Sequence, residues 1–533
     1  MSNAIPTSGM YRSAYGGDLL VRGLARNPDR PAVYLGDKVL TSAQMAAEIS
    51  RYIQAYESFG LSRGSRVATL AANRPEVLFN MGAGMVAGTR GTSLHPMGSL
   101  EDHAYILEDA EIETLFYDPG AYEDRAMALK DRVPGLKNVI ALAPTDAAPD
   151  LPTAASRFGS RTLKAHAPED PDTPYSVAYT GGTTGQPKGV VGTCRSMSTM
   201  TTIQMAEWQW PADMRFLCCT PLSHAGAAFF VPTLLRGGSL YVLPYFDPER
   251  VIDTIVEHRI TATMLVPTMI YVLLDHPKLA SADLSSLETL YYGAAAMSPS
   301  RLAEGIERLG EVFFQFYGQA ECPMTITVLR KEEHLVDRPD RLATCGRPVP
   351  WLDVALLDDE GQEVPHGEAG EICVRGPLVM KEYLNKPEQT AEAFKYGWLH
   401  TGDVARADDE GFFTIVDRKK DMIVTGGFNV FPREIEDVIS SHPAVSAAAV
   451  IGIPDDKWGE AVKAVVVRRP DAPADAGPAL EQELIALVKD RKGSVSAPKS
   501  VDFVDQIPLS ALGKPDKKAL RSRYWEGVGR MVN

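Results

Sequence analysis

Paired cysteines are missing from this chain. Its six cysteines, Cys194, Cys218, Cys219, Cys322, Cys345 and Cys373, are scattered over 533 residues without a C-x-x-C spacing. That pattern argues against a disulfide framework and against a zinc knuckle, and predicts thiols in a reducing compartment. Long apolar runs are missing too. The stretch from Ala225 to Leu235 contains Pro232 and is too short to span a bilayer, so no integral membrane segment is expected. The N-terminus, Met1-Ser-Asn-Ala-Ile, lacks a basic segment leading into an apolar one, so no secretory signal is expected and a cytoplasmic location is. Excess positive charge is also lacking: 69 acidic against 54 basic side chains give −15. A mean field of that sign repels nucleic acid and anionic membrane, so neither is an expected partner. Small anions would have to be held by local basic groups or backbone N–H clusters.

What the sequence does have is the balance of a soluble globular protein, 45% apolar and 23% charged residues. Its length exceeds that of one ordinary domain. Short apolar runs alternate with helical stretches. Arg66–Ala71, Thr114–Tyr117, Ser239–Leu243, Ala262–Val266 and Thr289–Tyr292 read as strands; Pro75–Ala87, Glu101–Leu107 and Val251–His258 read as helices. This rhythm predicts parallel sheets layered with helices. Ala143–Pro174, rich in Ala, Pro and Asp, reads as a surface connection. Beyond about residue 418 the text changes to a smaller α+β unit. It has a helix from Pro432 to Ile439, a strand from Lys463 to Arg468 and a helix carrying Leu480, Leu484, Leu487 and Val488 on one stripe. The expected organisation is an N-terminal domain over 1–417 and a C-terminal domain over 418–533.

The most informative segment is Thr180-Gly181-Gly182-Thr183-Thr184-Gly185-Gln-Pro-Lys188-Gly189. Glycines let backbone N–H groups converge, threonines donate and one lysine supplies charge, which together suit a polyphosphate. It is not a Walker loop, because Gly rather than Ser or Thr follows Lys188. Taken bare, it is also a flexible Gly/Thr hairpin. Phe316-Tyr-Gly-Gln-Ala-Glu321 places an aromatic ring near glycine and a carboxylate beyond it; the ring can stack on a flat base and the carboxylate can hold Mg²⁺. Trp398-Leu-His-Thr-Gly-Asp403 offers a carboxylate to a vicinal diol, or a plain turn cap after Gly402.

These segments, in this order, resemble the adenylate-forming superfamily of acyl-CoA synthetases, peptide-synthetase adenylation domains and luciferases. The resemblance runs from about Arg66 to Arg521. It implies an α/β fold: a large N-terminal domain of layered sheets and helices (αβαβα-like) and a small α+β C-terminal domain that rotates about a hinge. It also implies ATP as substrate, with Thr180, Gly181, Gly182, Thr183, Thr184, Gly185 and Lys188 on the phosphates. Gly293, Ala294 and Ala295 would line the adenine pocket, Tyr317 would pack on adenine, Asp403 would hold the ribose hydroxyls and Arg418 the ribose or phosphate. Glu321 would bind the metal. Ala320 departs from the common threonine, so one α-phosphate contact is absent or supplied elsewhere.

By the same resemblance, Lys420 is the hinge and Lys514, in Gly513-Lys514-Pro515, is the catalytic lysine. His224 would lie beside the acyl carboxylate, although the bare reading is a satisfied core histidine. Gly426, Gly427 and Trp458 would line the path of coenzyme A. The stretch Asp417–Pro432 is most similar to fatty-acyl and related CoA ligases. His224, Phe229, Tyr292, Gly293 and Thr325 are candidates for the acyl-pocket wall. The expected activity is an ATP-dependent acid–CoA ligase using Mg²⁺, most similar to enzymes of medium- or long-chain acids. Aryl acids, or a carrier protein loaded in trans, are the alternatives. A monomer or homodimer is expected.

Overall fold

The computed structural model describes residues 13–36, 38–165, 168, 170–180, 187–418, 421–425, 428–455, 458–469, 477–509 and 515–525. The chain forms two compact units, Met1–Met264 with Pro377–Pro387, and Leu265–Gly376 with Glu388–Asn533.

In the first unit, strands Arg66–Leu70, Arg90–Ser93, Thr114–Tyr117 and Asn138–Ala141 pair in parallel in one sheet. Beyond Arg90–Ser93 the sheet continues with Pro174–Thr180, Lys188–Thr193 and Glu382–Tyr383. Thr114–Tyr117 is buried along its whole length, as a short run without alternation predicts for a strand covered on both faces. Helices Leu100–Asp109 and Pro119–Arg132 contribute Ala104, Leu107, Ala126 and Leu129 to the core on this sheet. A second sheet runs Ala262–Leu265, Arg215–Cys218, Ser239–Val242 and Pro31–Leu35, with Lys38–Thr41 antiparallel at its edge. Helix Pro75–Ala87 starts on the proline that the sequence marks, whose missing N–H costs nothing in a first turn. Its Asn80 side chain accepts from the buried Tyr56 hydroxyl of helix Ser42–Ser58 at 2.7 Å.

One expectation changes here. The Ala143–Pro174 stretch is not simply a surface connection, because it contains the helix Leu151–Ser156, with Leu151, Ala154 and Ala155 buried. Asp150 caps it, accepting from the Thr153 N–H at 2.7 Å.

In the second unit, strands Thr289–Tyr292 and Phe313–Gln319 are parallel, and Phe313–Gln319 turns back into Cys322–Leu329 as an antiparallel hairpin. A separate antiparallel sheet has the order Asp353–Leu357, Gly370–Arg375, Leu399–Ala407, Phe413–Arg418. The C-terminal part is α+β, with strands Val445–Asp455 and Gly459–Arg468 paired over their length and Ser500–Phe503 joining in parallel. Helices Pro432–Ser440 and Gly477–Lys492 cover one face through Ile435, Ile439, Leu480, Leu484 and Val488. Ile507 and Leu520 cover the other. The stripe read from Leu480, Leu484 and Val488 is therefore the buried one. Among the described residues no helix is long and apolar enough to cross a membrane.

Candidate active site

Tyr317, Glu321 and Asp403 all lie in the second unit. Tyr317 and Gln319 sit on strand Phe313–Gln319, Glu321 in the turn that follows, and Asp403 on strand Leu399–Ala407. The Tyr317 hydroxyl donates to Asp403 Oδ2 at 2.7 Å, and the Gln319 amide lies 3.5 Å from the same oxygen while donating to the Thr401 carbonyl at 3.1 Å. Two residues singled out on separate motifs, 86 positions apart, are thus bonded to one another. Asp403 is only 5% exposed and Glu321 8%. Burial, and then the Asp403 carboxylate, push the Tyr317 phenol well above its ordinary range, so it is a permanent donor to that carboxylate. Asp403 stands opposite Arg418 in the strand register; the Arg418 side chain lies outside the described residues.

The backbone around these groups is tight and in places strained. Ala294 has φ +65° and Met324 φ +60°, left-handed conformations that non-glycine residues rarely adopt and that collect at functional sites. A Cβ on Gly293 would lie 2.4 Å from the Phe316 carbonyl oxygen, so only glycine lets the segment carrying Ala294 and Ala295 lie against the Tyr317 strand.

Glu371, Cys373 and His400 form the one cluster of metal-ligating residue types found among the described residues, with candidate ligand atoms all within 4.8 Å of one another. They are engaged with each other: His400 Nδ1 lies 3.0 Å from Glu371 Oε2 and 3.4 Å from Cys373 Sγ, and His400 Nε2 lies 3.2 Å from the Lys395 carbonyl. On the other neighbour of the Asp403 strand, Asp417 Oδ2 accepts from the Arg433 N–H at 3.3 Å, and the Arg433 guanidinium donates to the Met297 carbonyl at 3.1 Å. None of Gln319, Glu371, Asp417 or Arg433 was singled out from sequence, since only long-range pairing makes them neighbours.

In the first unit, Thr180 ends one strand and Lys188 opens its antiparallel partner, the two facing each other in register. Of the phosphate-loop candidates, Gly181, Gly182, Thr183, Thr184 and Gly185 lie outside the described residues. The first strand of this pair is tied to helix Leu100–Asp109 by the Tyr179 hydroxyl, which donates to Asp109 Oδ2 at 2.6 Å. Lys188 Nζ lies 4.8 Å from the centroid of the Tyr383 ring. His224 has Nδ1 2.8 Å from the Ser223 hydroxyl, and its ring meets His95 edge-on at 4.8 Å. Burial, helped by His95, lowers its pKa to about 4, so His224 is neutral at physiological pH in this structure.

The remaining acyl-pocket candidates are core residues in this structure. Phe229, Tyr292 and Thr325 are each 0% exposed. Phe229 stacks on Phe216 at 4.6 Å. Tyr292 is hydrogen-bonded to Gln315 at 3.2 Å and His334 at 2.9 Å. Trp458 is 42% exposed. Lys420, Gly426, Gly427 and Lys514 lie outside the described residues. All six cysteines are free and buried.

His334 carries a consequence for acid stability. Burial lowers its pKa to about 4 against the opposing pull of the Arg330 carbonyl, 2.7 Å from Nδ1. The unfolded chain takes up this proton near pH 6.5 and the folded chain only near pH 4, so stability falls as pH drops through that window. The expected slope is at most about 1.4 kcal/mol per pH unit. Urea midpoints at pH 7 and pH 5 check it: the drop should shrink in His334→Gln, and an equal drop in both proteins would show that His334 is not its source.

The fold, with the Tyr317 phenol bonded to the buried Asp403 carboxylate and Glu321 buried in the turn after the Tyr317 strand, is that of an adenylate-forming enzyme. The chain belongs to the AMP-binding enzyme family, whose main domain matches residues 20–384 and whose C-terminal domain matches residues 434–514. It is 56% identical to the medium/long-chain-fatty-acid–CoA ligase FadD8 of Mycobacterium tuberculosis over 527 residues, 97% of this chain and 91% of that one. It is 36% identical to a feruloyl-CoA synthase of Amycolatopsis, covering 95% of this chain and 98% of the relative. Among solved structures, the amide bond synthetase McbA of Marinactinospora thermotolerans superposes with a TM-score of 0.85 at 33% identity, covering 95% of this chain and 99% of that one.

Proposed function

We propose that this enzyme is an ATP-dependent ligase that joins a medium- or long-chain fatty acid to coenzyme A through an acyl-adenylate. The observation that carries this reading is the 56% identity to FadD8, described as a medium/long-chain-fatty-acid–CoA ligase, across nearly the whole chain. The site supports the first half-reaction. A carboxylate oxygen of the acid attacks the α-phosphorus of ATP, the bond from that phosphorus to the bridging oxygen breaks, and pyrophosphate leaves. The chemistry is one of positioning and charge. Tyr317 and Asp403 hold the nucleoside, Gly293 to Ala295 border its base, and Thr180 to Lys188 hold the phosphates. Glu321, a buried hard oxygen donor next to the Tyr317 strand, fits Mg²⁺, which when bound would neutralise phosphate charge. Lys514 would stabilise the charge that builds during attack.

In the second half-reaction the C-terminal domain, beginning at residue 418, turns about Lys420 and withdraws Lys514. The thiolate of coenzyme A, reaching the carbonyl past Gly426, Gly427 and Trp458, then displaces AMP. Pyrophosphate release over a panel of aliphatic and aryl acids, followed by thioester formation with coenzyme A or a holo carrier protein, tests the assignment. The expected result is highest kcat/KM for a medium- or long-chain aliphatic acid, in line with the medium/long-chain relative, and thioester on free coenzyme A. A clear preference for an aryl acid, or thioester on the carrier alone, would refute it.

A further inference from the structure

The strand that bears Asp403 is irregular where Asp403 sits. Against strand Gly370–Arg375, Glu371 pairs with Val404 and Cys373 with His400, so two steps on one strand correspond to four on the other. Residues 401–403 are therefore bulged out of the ladder, and Gly402 takes φ +74°. A bulge re-aims side chains, but it also gives up ladder hydrogen bonds that must be replaced for the new direction to be fixed.

Glu371 makes one of those replacements with a side chain. Its Oε1 accepts from the Gly402 N–H at 2.8 Å, while Oε2 meets His400 Nδ1 at 3.0 Å on the near side of the bulge. His400 is itself fixed by the Lys395 carbonyl at 3.2 Å from Nε2. The Thr401 hydroxyl completes the frame, donating to the Ile372 carbonyl at 2.7 Å and accepting from the Asp403 N–H at 3.2 Å. Glu371 is 7% exposed, and both oxygens of its buried carboxyl group are given to the segment that presents Asp403. The tightness of this arrangement has a reason in the chemistry expected at Asp403: two vicinal hydroxyls can be held by one carboxylate only when its plane is fixed.

We propose that Glu371 is a positioning residue for nucleotide recognition: by bracketing the 401–403 bulge between His400 and the Gly402 N–H, it sets the direction of the Asp403 carboxylate toward the ribose. This rests on the reading of Asp403 as the ribose acceptor. Glu371 touches no substrate in this role; it acts through the backbone of its neighbour strand. The same geometry gives His400 the second share of the task.

The test uses the full-length enzyme and measures kcat and KM for ATP and for 2′-deoxyATP at saturating acid, in wild type, Glu371→Gln, Glu371→Ala and Asp403→Asn. Losing a charge-assisted hydrogen bond to the bulge is expected to raise KM for ATP about 10- to 100-fold in Glu371→Ala. KM for the acid should stay within about twofold of wild type, well inside what one lost bond would cause. Selectivity for ATP over 2′-deoxyATP should fall toward that of Asp403→Asn. Glu371→Gln keeps an oxygen for the Gly402 N–H and should lie between wild type and Glu371→Ala; it also serves should the alanine variant fail to fold. If Asp403→Asn loses the selectivity while both Glu371 variants keep it, Glu371 is only structural and the proposal falls, with the ribose reading intact. If Asp403→Asn itself keeps the selectivity, the ribose reading fails and the proposal with it.

Discussion

Lys514→Ala is expected to slow acyl-adenylate formation by roughly 10²–10³-fold or more, the usual cost of removing a charge aimed at a developing anion. Thioester formation from supplied acyl-adenylate should change by less than about threefold, because that step has no pentavalent phosphorus to stabilise. The expectation follows from the order of events under the two-step mechanism. A lysine brought in by a rotating domain can serve only the half-reaction for which that domain is closed. The flanks of its segment are held in place: Leu509 and Pro515 pair as an antiparallel bridge, and the Asp516 N–H donates to the Pro508 carbonyl at 2.7 Å. Just beyond, Lys517 makes an ion pair with Glu436 at 2.8 Å, which ties this stretch to helix Pro432–Ser440. Rapid-quench measurement of the two half-reactions separates the outcomes. Equal loss of both would mean that Lys514 supports the fold or the thiol step and is not the adenylation lysine.

Most of the architecture was legible because its signals are local. Prolines at first turns start helices Pro75–Ala87 and Pro432–Ser440, and unalternating apolar runs mark strands Thr114–Tyr117 and Thr289–Tyr292. The helix Leu151–Ser156 escaped because its Ala, Pro and Asp content also suits a coil, although Asp150 before Pro152 is a capping signal. Site residues divide in the same way. Tyr317, Glu321 and Asp403 lie in compact motifs whose residue types suit a base, a metal and a diol. What binds them together does not: the Tyr317–Asp403 bond spans 86 positions and Gln319 to Thr401 spans 82. The bulge at 401–403 depends on how strand Gly370–Arg375 registers with its neighbour, a property of the pair and of neither sequence alone. Protonation states were equally hidden. The neutrality of His224 comes from burial and from His95, 129 positions away, and no spacing rule announces it.

Asp403→Ala is expected to raise KM for ATP by roughly 10²–10⁴-fold, since two charge-assisted bonds to ribose hydroxyls contribute about 1.5–3 kcal/mol each. The substitution has a second cost on the protein side. The Tyr317 hydroxyl donates to Asp403 at 2.7 Å from a largely enclosed position, and without that acceptor it is left with a poorer partner. Tyr317→Phe separates the two effects. It removes the same bond from the other end and keeps the ring that would lie on adenine, so Asp403 remains available to the ribose. Its expected cost is about tenfold or less, one neutral donor to a carboxylate that Gln319 also approaches at 3.5 Å. Steady-state kinetics on both variants, with melting temperatures to exclude loss of fold, give the comparison. If Tyr317→Phe costs as much as Asp403→Ala, the phenol–carboxylate bond is what the nucleotide site depends on, and direct ribose binding by Asp403 is refuted. If Asp403→Ala costs far more, the carboxylate itself is the acceptor, and the hydroxyl of Tyr317 serves to hold it at the angle the ribose requires.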